Sequence, residues 1–209
     1  VVTRALGKVG VCRSMLITLA LLRSEKSLDD KSPWSMLVIL AVFGISGRIL
    51  FEPLPNFQPV TTIVLLTGVF FGAPRAVALA GTITLVSNYL FLGHGVWTIF
   101  QIIGWGSIGF LGAILSNRIL SNKQININFL AIVAAMSAFI FDFIVSLSIL
   151  FEASPNMLLP YLINGLLFDL YHAVGNILFV AWIASPLGEL MHRHRNNPNS
   201  EAVSLIASK

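Results

Sequence analysis

Two stretches decide how this chain is read: G-R-I-L-F-E-P-L-P-N-F-Q-P-V-T-T-I (residues 47–63) and S-N-Y-L-F-L-G-H-G-V-W-T-I-F-Q-I-I-G-W (residues 87–105). The sequence around them is almost uniformly apolar. These two concentrate an arginine, a carboxylate, amides, prolines and aromatics at what look like the ends of hydrophobic segments. That is the pattern of a binding mouth, and it raises the question of which solvent the segments sit in.

Composition answers it. Of the 209 residues, 56% are hydrophobic and 11% charged, and mean hydropathy is +0.85; soluble chains carry roughly 25% charged residues. The chain therefore reads as an all-α membrane protein. The formal net charge of +4 could point to nucleic acid, but the basic residues report topology instead, and no nucleic-acid partner is expected. A single cysteine, Cys12, excludes an internal disulfide and a multi-cysteine metal site.

Residues 1–33 mix basic and apolar residues. The run Val11–Leu22 falls short of the about 20 apolar residues of a span, so an interfacial helix on the inner face is expected. It lacks the small-residue cleavage site of a signal peptide. Six longer apolar segments follow, near 34–51, 59–73, 76–92, 96–116, 127–151 and 161–185, giving a six-helix membrane domain over 34–190 and a polar tail over 191–209. Lysine and arginine sort cleanly among the connections. Arg4, Lys8, Arg13, Arg23, Lys26 and Lys31 precede the first segment, Arg75 follows the second, Arg118 and Lys123 the fourth, and Arg193, Arg195 and Lys209 the sixth. The positive-inside rule then puts both termini in the cytoplasm and the loops at 52–58, 93–95 and 152–160 outside.

Ionisable residues inside a bilayer are costly and mark pathways, ligand sites or buried pairs. Arg48, Asp142, Asp169 and His172 are such residues, and the first three fall in the outer half. Arg48 pairs with Asp142 or Asp169 to hold helices together, or one or more of these groups faces a ligand, and the two readings are compatible. Asp169, His172 and Asn176 fall on one helical face; a metal site using His94 as well has too few ligands to be supported. Asn88, Gln101, Trp97 and Trp105 flank the G-H-G turn. Trp97 fits an interfacial anchor, whereas Trp105 beside an amide suits a pocket wall. Pro53, Pro55 and Pro59 stiffen the first outer loop. No nucleotide-binding loop, hydrolase elbow, zinc-protease motif or inverted repeat occurs, so energy for any transport comes from a partner. Small residues recur at Ala41, Gly44, Gly47, Gly68, Gly72, Gly106, Gly109 and Ala113, where close helix packing is the plain reading.

The runs G-R-I-L-F … P-N-F-Q-P-V-T-T-I-V-L-L-T-G-V-F-F-G (47–72) and L-V-S-N-Y-L-F-L-G-H-G-V-W-T-I-F-Q-I-I-G-W-G-S-I-G-F-L-G-A (85–113) resemble the substrate-binding S components of energy-coupling factor (ECF) vitamin importers. The similarity is greatest to the cobalamin-type members and covers about residues 36–190. The resemblance implies six membrane helices, no catalysis and no bound cofactor, and high-affinity capture of a vitamin from outside a bacterial cytoplasmic membrane. It also implies association with a membrane coupling subunit and two cytoplasmic ATPase subunits, and toppling of the protein in the lipid to release its cargo. Outer loops and outer helix ends would form the site, adding Phe51, Asn56, Phe57, Gln58 and His94 to the residues above. The family docks its coupling subunit through small residues on the first helix; Ala41, Gly44 and Gly47 are the nearest here, without the intact alanine spacing. Cobalamin is the ligand implied, with folate, riboflavin, pantothenate or a queuosine precursor as alternatives. An intramembrane enzyme built on Asp142, Asp169 and His172, and an envelope scaffold, are the readings from other classes.

Overall fold

The computed structural model describes residues 33–121 and 124–195. The expected interfacial helix within 1–33, Cys12, Lys123 and the end of the polar tail lie outside the described residues. What is described is a helical bundle: α1 (Pro33–Leu50), α2 (Val60–Phe71), α3 (Ala73–Ser87), α4 (Val96–Ile114), a short α5 (Ser116–Ile119), α6 (Ile127–Ser146) and α7 (Leu158–Arg195). Among the described residues the β structure is a pair of two-residue strands, Leu120–Ser121 against Gln124–Ile125, in the turn between α5 and α6. Among the described residues, four stretches are long and apolar enough to cross a bilayer: Ala73–Leu92, Val96–Ile114, Ile127–Phe151 and Pro155–His194. Backbone in lipid has no water to bond, so such stretches satisfy their own amides as helices.

The bundle is organised around α2, a short helix of 12 residues. All twelve residues of α2 are buried, so it is wrapped by α1, α3, α4 and α7 rather than exposed to lipid. At about 1.5 Å per residue it is about 18 Å long, against about 30 Å for the stretch from α3 through Leu92. Gly72 alone joins α2 to α3. Its φ of 84° is a conformation that side chains with a Cβ resist, and it lets the chain reverse within one residue. Because α2 and α3 share this end, the opposite end of α2 stops about 4 Å short of the end of α3 at Ser87, and the π-helical turn Asn88–Leu92 continues beyond it. The proline loop at 51–59 crosses this end of the bundle, with Glu52–Pro55 exposed and Asn56–Pro59 turned inward.

Backbones approach closely where glycines meet. A Cβ on Gly109 would lie 2.6 Å from Ala76 of α3, and one on Gly104 would lie 2.7 Å from the Phe141 ring of α6. Gly44 and Gly47 belong to the same internal packing: Gly44 faces Ile83 and Gly47 faces Pro59, and both are buried. Two of the three small residues expected at a docking surface, Gly44 and Gly47, are thus covered by the chain's own α3 and loop, and Ala41 is half-buried. The part of α1 left open is Val38 and Val42, 63% and 41% exposed.

The last helix is longer than its apolar run suggested. It starts at Leu158 and continues to Arg195 through Pro186, because Leu187, Leu190, Met191 and His194 keep an i, i+3, i+4, i+7 face buried after the outer face turns polar. The expected boundary near 190 therefore falls inside a continuous helix. At its other end, residues 158–171 contain no buried residue, so the first turns of α7 stand clear of the core. Arg75, Arg118 and Arg193 all fall near the end where α2 turns into α3, α4 ends and α7 ends. Arg75 Nη1 donates to the Phe71 carbonyl at 3.2 Å, where a cation meets the negative end of α2.

Candidate functional site

At the end of α2 next to the proline loop the costly polar residues meet in one network. Arg48, in the last turn of α1, is only 5% exposed. Its Nε donates to Gln58 Oε1 at 3.1 Å, and its Nη1 donates to Asn88 Oδ1 at 2.9 Å and to Ser87 Oγ. Its guanidinium also lies over Trp105, 4.8 Å from the ring centroid, a favourable position for a cation over an aromatic face. None of these partners is charged. Arg48 therefore does not pair with Asp142 or Asp169, as one reading of the sequence had it; four neutral groups from the loop, α3 and α4 hold it instead.

Asn88 passes the network on. Its Nδ2 donates to Thr98 Oγ1 at 3.0 Å and to Gln101 Oε1 at 2.7 Å. It opens the π-helical turn Asn88–Leu92 that ends α3, a wide turn of a kind frequent at functional sites. Thr98 in turn accepts the Gly95 N–H at 3.3 Å, tying the start of α4 to the same network.

A second string runs from Trp105 to the other wall. Its indole Nε1, which can only donate, gives its hydrogen to Thr61 Oγ1 at 3.2 Å. The Thr61 hydroxyl hydrogen is then free for His172 Nε2 at 3.1 Å, and His172 Nδ1–H donates to Asp142 Oδ2 at 2.9 Å. Asn56 Nδ2 donates to Asp142 Oδ1 at 3.3 Å. Phe141 stacks on Trp105 with centroids 4.3 Å apart and meets His172 edge-on at 5.4 Å. Both Asp142 oxygens therefore accept, one from Asn56 and one from His172.

The loop between α1 and α2 is held down by rings. Phe51, Phe57 and Phe179 form a triangle with centroids 5.6, 5.3 and 5.0 Å apart, and Phe57 covers Gly175, where a Cβ would come within 2.8 Å of it. Asn56 is the one non-glycine residue with positive φ among the described residues, at 56°, and its amide reaches Asp142 from there. Asn56→Ala is expected to cost about 1–2 kcal/mol through the backbone conformation together with the lost hydrogen bond. Asn56→Gly should cost less, because glycine takes positive φ freely; unfolding midpoints of the two variants in lipid nanodiscs check this.

The network joins Arg48, Gln58, Asn88, Gln101 and Trp105 to Asn56, Asp142 and His172. His94 and Trp97 lie outside it. His94 is exposed beside Tyr89, with ring centroids 5.7 Å apart, and Trp97 is 37% exposed and folds back over Gly95. Asp169 is half-buried near the clear-standing turns of α7, with no hydrogen bond among the described residues. No group of three or more potential metal ligands occurs among the described residues.

Sequence reasoning passed over Ser87, Thr98 and above all Thr61. Hydroxyls in membrane helices usually return to their own i−4 carbonyl, as Thr67, Thr84 and Ser137 do at 2.7, 2.8 and 2.7 Å. Thr61 is the second residue of α2, directly after Pro59–Val60, and no helical carbonyl lies four residues behind it. That position was the available signal that its hydroxyl would bond elsewhere.

No curated protein and no solved structure matches the chain. A family model matches residues 29–197, which take in every element of the bundle, and the chain belongs to that family, a family of unknown function (DUF6580).

Proposed function

We propose that this protein is the substrate-binding membrane subunit of an ECF-type vitamin importer, with six membrane-embedded helices and both termini in the cytoplasm of a bacterial cell. It captures an organic solute from the outside and does no chemistry of its own; a coupling subunit and two ATPases supply the energy. One observation carries the reading. The wholly buried α2 ends short of α3 and the π-helical turn that follows it, and polar side chains from α1, α2, α3, α4, α6 and α7 converge on that end. A costly polar layer recessed within an apolar bundle, under a loop stiffened by three prolines, is the construction of a preorganised ligand floor.

Cobalamin is the first ligand to test, following the resemblance of 47–72 and 85–113. Co-expression with a coupling subunit and its two ATPases is expected to yield a stable complex that takes up radiolabelled cobalamin, or another vitamin, into vesicles with ATP. Failure to form any complex with such a module overturns the importer reading.

The string Asp142–His172–Thr61 has the order carboxylate, imidazole, hydroxyl, which favours a second reading as an intramembrane hydrolase. Burial argues against it. Thr61 and His172 are each 0% exposed, and Trp105 already donates to the hydroxyl oxygen that would attack. Hydrolysis lost in Asp142→Asn with ligand capture intact would restore that reading.

A further inference from the structure

We infer that the ligand of this site presents an oxyanion, a carboxylate or a phosphate, to Arg48, Gln58 and Gln101. The argument is one of hydrogen-bond polarity and rests on the outer network being the ligand floor. An arginine can only donate. Gln58 and Asn88 must therefore turn their amide oxygens toward it, as they do at 3.1 and 2.9 Å. With its oxygen so engaged, Asn88 donates both hydrogens, one to Thr98 and one to Gln101 Oε1. Gln101 must then present its oxygen inward as well.

The outward ends of the network follow from this. The Nε2 groups of Gln58 and Gln101 and the Nη2 of Arg48 make no hydrogen bond among the described residues, and none of the three is among the fully buried unsatisfied atoms, which are Thr62 Oγ1 and Asn176 Oδ1. These unused groups are all donors. No carboxylate bonds to Arg48 among the described residues: Asp142 has one oxygen taken by Asn56 and the other by His172, and Asp169, half-buried on α7, makes no hydrogen bond to it. Arg48 is 95% buried by its 5% exposure, held at Nε and Nη1 by three acceptors and on one face by Trp105. The remaining N–H groups are thus held in place before a ligand arrives. Donors without acceptors, backed by a positive charge in an apolar bundle, select an acceptor-only group of opposite charge. Cobalamin carries a phosphodiester, and folate and pantothenate carry carboxylates, whereas riboflavin is uncharged.

The full chain in nanodiscs should be titrated with inorganic phosphate, pantothenate, folate and riboflavin at constant ionic strength, following the unfolding midpoint and tryptophan fluorescence. At least one anionic probe is expected to raise the midpoint, and riboflavin should not. Gln58→Glu and Gln101→Glu keep the inward oxygens for Arg48 and Asn88 while exchanging outward donors for acceptors, so each should weaken the anionic probe at least tenfold. Gln101→Leu removes donors without adding charge and should produce a smaller fall, which keeps the test open if a glutamate variant does not fold. A response to phosphate alone assigns a phosphoester, and a response to the carboxylates alone a carboxylic acid. The inference is overturned if riboflavin acts as well as the anions, if no anion acts, or if the anionic probe binds all three variants as it binds the unaltered protein. A complex with the coupling module that still forms under those outcomes leaves the importer reading standing, and anion binding without such a complex removes that reading alone.

Discussion

Arg48→Met is expected to lower the stability of the bundle by about 3 kcal/mol and to abolish ligand capture. Two effects oppose each other. Removing the guanidinium relieves the cost of keeping a cation in an apolar bundle, but it strands Ser87, Asn88 Oδ1 and Gln58 Oε1, which now accept its hydrogens. An unsatisfied buried acceptor costs about 1–3 kcal/mol, and removing one member of a buried charged network costs about 3–5 kcal/mol in other proteins, so the loss prevails. For a domain of this size about 3 kcal/mol corresponds to a fall of roughly 6–12 °C in the unfolding midpoint. Arg48→Lys keeps the charge but not the planar fork, and a single ammonium does not reproduce donors leaving from two separate nitrogens. It should recover part of the stability while restoring little binding. A midpoint unchanged in Arg48→Met would show that the network is not holding the outer ends of the helices.

The second large effect lies at the crossing of α2 and α4. A Cβ on Gly68 would run into the carbonyl oxygen of Gly109, and a Cβ on Gly112 into the carbonyl oxygen of Leu65. Each helix offers a glycine to the other's backbone, and a backbone cannot swing aside as a side chain can. Gly68→Ala and Gly112→Ala are each expected to cost about 3 kcal/mol, the upper end of overpacking effects, because the two helices must separate. Once they have separated, the second substitution adds little, so the double variant should cost clearly less than the sum of the singles. Gly106→Ala is the control. Its nearest neighbours would be the Val77 methyls at 3.7 Å, ordinary contact, and it should stay within about 0.5 kcal/mol of the unaltered protein. Unfolding in nanodiscs measures all four.

Much of the candidate site was legible because of its cost. Arginine, aspartate and histidine are rare in apolar helices, so Arg48, Asp142 and His172 stand out in the sequence without any knowledge of contacts, and the prolines around Asn56 mark a stiff loop. Their pairing was not legible. Opposite charges suggested Arg48 with an aspartate, but a pairing depends on which helices adjoin at one depth, and the short α2 brings amides to Arg48 and an imidazole to Asp142. The glycines behaved likewise. Their spacing announced close approach, while only the packing shows that Gly44 and Gly47 meet Ile83 and Pro59 instead of remaining open on α1.

The sequence by itself determined the solvent, the helices and their approximate ends, because hydropathy and backbone satisfaction in lipid are summed residue by residue along the chain. It also marked most of the polar residues that would matter. Only the tertiary structure decided that α2 is the buried axis, that Thr61 links Trp105 to His172, and that Asn88 hands the donor polarity of Arg48 on to Gln101. Those facts depend on how far each helix rises relative to its neighbours, and a linear pattern does not carry relative height.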